Sequence, residues 1–290
     1  MQFSAGDAAV SGFDFIRRHP RPVIRWTVFS VAVSLLVTVI GLLLVGPTYL
    51  DLAARSRQQV SPQAVAKTFS AMALIVVVFA LPAMLAMQSA VLRALLVGPA
   101  GGRWEGLSLG KRELRLLGVY VLMGLSLFGV EIVGGAATVI LVHFKQPLFV
   151  TAGVVVGIAT FCAMVLVVAR LSLAPVVLMA DGSQPLKRSW ALTKGRFWPL
   201  FGAFLLLTVM LILAYLAVEL IFALPLLTTL GSGGWSALFQ PDKTITSLTA
   251  PQMIFRLGPA VVHALLSAVL AVLPASVAVE AYKAFSADRP

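Results

Sequence analysis

Ala73-Leu74-Ile75-Val76-Val77-Val78-Phe79-Ala80-Leu81 is an unbroken apolar run. A transmembrane β-strand alternates apolar and polar positions over about ten residues, and this run does not alternate. Extended to 69–97, it exceeds the roughly 20 mostly apolar residues that carry an α-helix across a bilayer. Five more stretches share its character, over approximately 23–45, 114–144, 148–180, 197–230 and 253–284. The chain therefore reads as an all-α integral membrane protein with six transmembrane helices, a single polytopic membrane domain over 1–290. Composition agrees, since 60% of the 290 residues are apolar and 11% charged, against about 25% charged in a soluble domain. A soluble globule, a disordered tail and a disulfide scaffold are excluded, and Cys162 has no second cysteine to pair with.

The first span is too long for the apolar core of a signal peptide, roughly 7–15 residues, and no small-x-small cleavage site follows it. Several spans exceed the minimum length, which predicts tilt or bending. Pro82, Pro175, Pro225 and Pro274 are the candidate kinks, because each removes a backbone donor.

Charge gives the orientation. Arg17, Arg18, Arg21 and Arg25 lie before or at the mouth of span one. Arg93, Arg103, Lys111, Arg112 and Arg115 lie between spans two and three. Lys187, Arg188, Lys194 and Arg196 lie between spans four and five, and Lys283 and Arg289 follow span six. Those fifteen fall on one side. Arg55, Arg57, Lys67, Lys145, Lys243 and Arg256 fall on the other, and Arg170 lies inside span four. Basic loops stay in the cytoplasm, so the sequence predicts a multi-pass membrane protein with both termini cytoplasmic. The net charge of +11 is thus a topology signal. The basic residues hug the span ends and form no separate basic domain, so no nucleic acid is expected as a partner.

The entries to the odd-numbered spans resemble one another. Phe15-Ile16-Arg17-Arg18-His19-Pro20, Leu109-Gly110-Lys111-Arg112-Glu113-Leu114-Arg115 and Thr193-Lys194-Gly195-Arg196-Phe197-Trp198-Pro199 are each basic and precede an apolar run. Leu117-Gly118-Val119-Tyr120 and Phe201-Gly202-Ala203-Phe204 then correspond. The pattern predicts three tandem helical hairpins with basic amphipathic interfacial helices on the cytoplasmic side. In the segment before span five, Leu186, Trp190, Thr193 and Phe197 share one helical face, and Lys187, Arg188, Lys194 and Arg196 lie around the others. A basic amphipathic helix with Trp on its apolar side suits a membrane surface carrying anionic headgroups. Phe13 and Ile16 beside Arg17 and Arg18 form a shorter version. Residues 46–68 read as a polar outer loop, and residues 231–252 as a loop with a short interfacial helix through Trp235, Leu238 and Phe239.

Ionisable groups within spans each cost roughly 2.5–3.5 kcal/mol at mid-bilayer on insertion scales, so Glu131, Arg170 and Glu219 are the intramembrane polar candidates. At 1.5 Å per residue, Glu131 lies about 25 Å from Leu114 and Arg170 about 15 Å from Ala180. Side-chain length closes most of that offset, so the two are expected to pair, or Arg170 to meet backbone carbonyls. Glu219, about 33 Å along span five, is expected near the outer interface. Gly153-x-x-x-Gly157 permits close helix approach, and Gly129, Gly134 and Gly135 are candidates for the same use. His19, His143 and His263 lack ligand-spaced neighbours, and there is no Walker A loop, nucleophile elbow or dinucleotide fingerprint. No catalytic residue, metal or cofactor is expected.

Arg170-Leu171-Ser172-Leu173-Ala174-Pro175, with Leu186-Lys187-Arg188-Ser189-Trp190-Ala191-Leu192-Thr193-Lys194-Gly195-Arg196-Phe197-Trp198-Pro199-Leu200 after it, resembles a family of bacterial inner-membrane proteins. These are grouped around the membrane domain of glycerophosphoryl diester phosphodiesterases and the YciC-like proteins. Gln88-Ser89-Ala90-Val91-Leu92-Arg93-Ala94 and Leu107-Ser108-Leu109-Gly110-Lys111-Arg112-Glu113-Leu114-Arg115 are similar to uncharacterised alphaproteobacterial members. The resemblance implies a polytopic helical inner-membrane protein. It does not imply phosphodiesterase activity, which in fused members belongs to a soluble domain that this sequence lacks. The expected function is non-enzymatic, a lipid-interacting protein or an accessory of a membrane complex. Anionic lipids are the expected partners, with a membrane protein or a second copy beside them. Lys187, Arg188, Trp190, Lys194, Arg196, Arg17 and Arg18 are the expected lipid contacts. The alternative is a small transporter or permease component with a polar site around Glu131 and Arg170.

Overall fold

The computed structural model describes residues 3–44, 62–99, 106–182, 184–230 and 250–287. No strand occurs among them. The helices are α1 (Ala5–Arg18), α2 (Pro20–Leu44), α3 (Pro62–Ile75), α4 (Leu81–Val97), α5 (Lys111–His143), α6 (Pro147–Leu171), α7 (Ala174–Asp181), α8 (Pro185–Thr193), α9 (Phe197–Leu230) and α10 (Ala250–Ala287). Six helical stretches are long and apolar enough to cross a membrane, namely Pro20–Gly41, Ala66–Val97, Lys111–His143, Pro147–Asp181, Phe197–Phe222 and Val261–Ala287. The chain is an all-α polytopic membrane protein, as its apolar runs predict. Phe128, Val133, Phe161 and Ile221 are all exposed, an arrangement that lipid stabilises and water does not.

The bounds differ from the sequence reading in four places. The second span starts early, since residues 62–68 are helical instead of looped. A π-helical turn, Val76–Ala80, joins α3 to α4, and the Leu81 N–H reaches back to the Val76 oxygen. It precedes Pro82, where an extra residue per turn absorbs the missing donor and the ring. The fourth span is not one helix. It ends at Leu171, passes through Ser172 and Leu173, and restarts at Ala174 with Pro175 in its first turn. Proline is tolerated there because first-turn N–H groups have no intrahelical partner. The last of the four is α8, which stops at Thr193 and does not continue to Phe197. Lys194 is extended and Gly195 has φ +80°, a left-handed backbone that glycine adopts without strain. The helix expected around Trp235 lies outside the described residues, as does the loop at 45–61.

The described residues group into two compact units. One comprises Arg18–Met87 and Thr208–Ala271. Within it α2 lies beside α3 and the π turn. Ser267 donates to the Ser30 hydroxyl at 2.7 Å, and Phe29, Ser30, Val33, Met84 and Met87 line a groove of about 210 Å³.

The other unit comprises Met1–Arg17, Gln88–Leu207 and Val272–Pro290. Its core is built from span ends. Ala90, Val91 and Leu92, then Ala174, Val176 and Val177, then Val272, Val277 and Ala281 are all buried. α5 and α6 form an antiparallel hairpin about Lys145 and Gln146. A Cβ on Gly134 would collide with Thr160, and one on Gly153 would sit 2.8 Å from a Val142 methyl and 3.4 Å from the Thr138 oxygen. Lipid tails are as apolar as leucine, so this close contact, and not water exclusion, holds the two helices together. Gly129 meets nothing within 4 Å, and Gly135 meets only the carboxylate of Glu131 on its own helix. α1 buries Ala8, Ala9 and Gly12, while Phe13 stays exposed. Its docking face is therefore the small-residue face, not the Phe13 side that the sequence suggested.

The hairpin repeat has a counterpart in burial. Leu116 and Val119 of α5 and Leu200 and Ala203 of α9 are buried at matching places after their basic entries. Val23 and Trp26 of α2 are buried with the same i, i+3 spacing.

Candidate functional site

The interruption of the fourth span builds the site. Leaving the helix at Ser172 deprives the Arg170 carbonyl of its donor four residues on, and a free carbonyl at membrane depth costs several kcal/mol. α8 supplies the replacement. Ser189 donates to the Arg170 oxygen at 2.7 Å, and Thr193 also donates to it at 3.4 Å. Thr193 bonds the Ser189 oxygen at 2.9 Å as well. Both residues are fully buried, as is Leu192 at 3% exposure. The buried face of α8 is thus a hydroxyl clamp of Ser189 and Thr193 with Leu192. Of the Leu186–Trp190–Thr193–Phe197 stripe read from the sequence, Thr193 lies on that face and Trp190 does not. Phe197 belongs to α9, where it stacks on Phe201 at 5.5 Å and meets Trp198 edge-on at 5.3 Å.

Arg170 does not meet Glu131. Its guanidinium lies over the indole of Trp190, 5.5 Å from the ring centroid. Its Nε and Nη1 are buried without a hydrogen-bond partner among the described residues. Glu131 is exposed, and its carboxylate lies along its own helix beside Gly135. Helical rise explains the separation. Glu131 stands about 18 Å from the hairpin turn at His143 and Arg170 about 35 Å from Pro147, too far for a side chain to bridge. Glu219 is half-buried and hydrogen-bonded to Tyr215 one turn back.

Outward from the clamp, α8 presents Lys187, Arg188 and Trp190, all exposed. Gln184, Lys187, Arg188 and Ala191 line a surface pocket of about 340 Å³. Arg188 is held by Asp181 at 3.0 Å, and Asp181 also accepts from the Tyr282 hydroxyl at 2.7 Å. Lys194 is exposed, and so are Arg17 and Arg18 at the end of α1. Arg196 turns inward, donates to the Phe285 oxygen at 3.2 Å and lies 4.9 Å over that ring. It therefore has a packing role beside any role at the surface. Phe3 packs against the same Phe285 with its ring tilted, centroids 5.1 Å apart, which brings the segment before α1 onto α10.

A second cluster was not legible as a site. Arg93 Nη2 donates to Glu113 at 2.9 Å, to the Gly106 oxygen at 2.8 Å and to the hydroxyls of Ser89 and Ser108 at 3.0 and 3.1 Å. Ser89 donates to the same carboxylate at 3.1 Å, and the Gly110 N–H donates to it at 2.9 Å. Glu113 is 3% exposed. The signals were present in the sequence: Ser89 and Arg93 stand one turn apart, and Glu113 is three residues after Gly110, where a carboxylate reaches back to an orphan N–H. This network ties the end of span two to the start of span three.

Among the described residues no three His, Cys, Asp or Glu side chains gather as a metal set would. No family model, curated protein or solved structure matches this chain.

Proposed function

We propose that the chain is a non-enzymatic, multi-pass protein of the bacterial inner membrane, with both termini cytoplasmic, whose basic cytoplasmic end binds anionic lipid. On this reading it belongs with the membrane-domain proteins that Arg170–Pro175 and Ser189–Pro199 resemble. The observation that carries it is the exposed Lys187, Arg188 and Trp190 on α8, beside an open surface pocket of about 340 Å³. α8 is pinned through Ser189 and Thr193 to the end of a span, which holds those side chains at headgroup level. Each basic residue near an anionic surface contributes about 1 kcal/mol, screened over roughly 8 Å at physiological salt. Phe3 against Phe285 agrees with both termini on one side. The transport alternative needs a polar path joining Glu131 to Arg170, and their separation does not favour it.

The test is native mass spectrometry of the full chain, released from nanodiscs of mixed phosphatidylglycerol and phosphatidylcholine. Wild type should retain phosphatidylglycerol in excess. Lys187→Gln with Arg188→Gln should retain less, and added salt should reduce retention in wild type. Equal retention of both lipids by wild type at low salt would leave the basic residues as topology signals only.

A further inference from the structure

Arg93 and Arg170 stand near the ends of spans two and four and meet opposite fates. Arg93 has a buried carboxylate and four further acceptors. Arg170 has the face of an indole, and two of its nitrogens are buried with no acceptor among the described residues. Guanidinium does not give up its proton in a protein, so Arg170 cannot shed its charge as a buried lysine or carboxyl would. The C-terminal dipole of α6 offsets about half a charge at most. The carbonyl of Arg170 itself is already taken by Ser189 and Thr193. An anion from outside the chain is what the site lacks.

We propose that Arg170 is an anion-binding residue whose ligand is a phosphate group. It rests on the reading of this end of the molecule as lipid-binding, but uses a different residue from the α8 surface. The planar fork matches two phosphate oxygens. Trp190 covers the guanidinium face and leaves its edge to donate. Arg170 keeps part of its surface open. Nε and Nη1 are buried, so binding requires the side chain to turn toward that opening. Trp190 is 44% exposed, as an indole at a membrane–water interface is. A phosphodiester in the adjoining leaflet and free inorganic phosphate share this chemistry.

The experiment uses the full chain, delipidated in a phosphate-free maltoside detergent. The Lys187→Gln, Arg188→Gln background removes the α8 surface contribution. The melting midpoint is followed during titration with phosphatidylglycerol, with diacylglycerol of the same chains, and with inorganic phosphate. Phosphatidylglycerol should raise the midpoint saturably and diacylglycerol should not. Adding Arg170→Gln should raise the half-saturating concentration about tenfold or more, the weight of a charged hydrogen bond. A rise with inorganic phosphate alone would assign the ligand to the soluble anion, and a rise with the lipid only would assign it to the headgroup. An unchanged titration in Arg170→Gln overturns the proposal, whatever the α8 variants do. Arg170→Lys keeps the charge, loses the fork and spares the fold. It should bind with intermediate strength, and wild-type binding by that variant overturns the proposal equally.

Discussion

The hydroxyl of Ser189 donates to the main-chain oxygen of Arg170 over 2.7 Å, across nineteen residues of sequence. Through it a helix that breaks off near the end of a span keeps one of its last carbonyls occupied. The helix that rescues it is the one bearing the exposed basic residues. The broken span and the charged surface are thus one construction, not two.

Removing that rescue should destabilise the protein. Ser189→Ala alone should cost little, because Thr193 already shares the acceptor. Ser189→Ala with Thr193→Val should cost about 1–3 kcal/mol, the desolvation penalty of a buried carbonyl left unbonded. Thermal melting in detergent checks this. Equal midpoints for the single and double variants would mean that water replaces the hydroxyls.

Glu113→Ala should destabilise as well. It takes the carboxylate from Arg93 and frees the Gly110 N–H. The cost is about 1.5–3 kcal/mol for a charged hydrogen bond, since Arg93 is 34% exposed and keeps its other acceptors. Glu113→Gln keeps an acceptor for Gly110 and should fall between. Urea titration in mild detergent, read by circular dichroism, ranks the three. A ranking with Glu113→Gln below Glu113→Ala would contradict the geometry.

In the α5–α6 hairpin, Gly153→Val and Gly134→Val should each cost about 1–3 kcal/mol through overpacking. Gly129→Ala, facing open space, should be neutral or slightly stabilising, since alanine favours a helix by about 1 kcal/mol over glycine. Melting midpoints of the three variants decide this, and a loss at Gly129 equal to that at Gly153 would refute the contact.

Reporter fusions should place Pro290 in the cytoplasm and the 46–61 segment outside it. The fifteen-to-six distribution of basic residues motivates the orientation, and Phe3 against Phe285 motivates a shared side for the two ends. A periplasmic signal at Pro290 would reverse the first, and opposite signals from N- and C-terminal fusions would break the second.

Six spans were legible because a helix of lipid-facing residues announces itself by composition alone. The Gly153 contact was legible too, because small residues have few other uses in a span. The separation of Arg170 from Glu131 was missed because the depth of Arg170 was counted back from Ala180, across the break at Ser172. Counted from the turn at Lys145 and Gln146, the two differ by about 17 Å. The role of Glu113 was not read at all: it stands among Lys111, Arg112 and Arg115, and its bond to Arg93, twenty residues back, draws it inside. The face of α8 was misjudged because Ser189 is polar by type and buried by function, while Trp190, apolar by type, stays exposed.

Gly12 of the first helix lies against Leu273 and Ser276 of the last, so close that a Cβ there would fall 2.6 Å from the Ser276 hydroxyl. The ribosome makes Gly12 at the start and its berth near the end. At ordinary elongation rates the interval is on the order of tens of seconds. During that time the first helix has no Leu273 to rest on. Its small-residue face is then open to chaperones, proteases and the lipid surface. Docking of the first helix waits for the last span to be made, and a chain lacking Leu273 is recognisable by its undocked first helix.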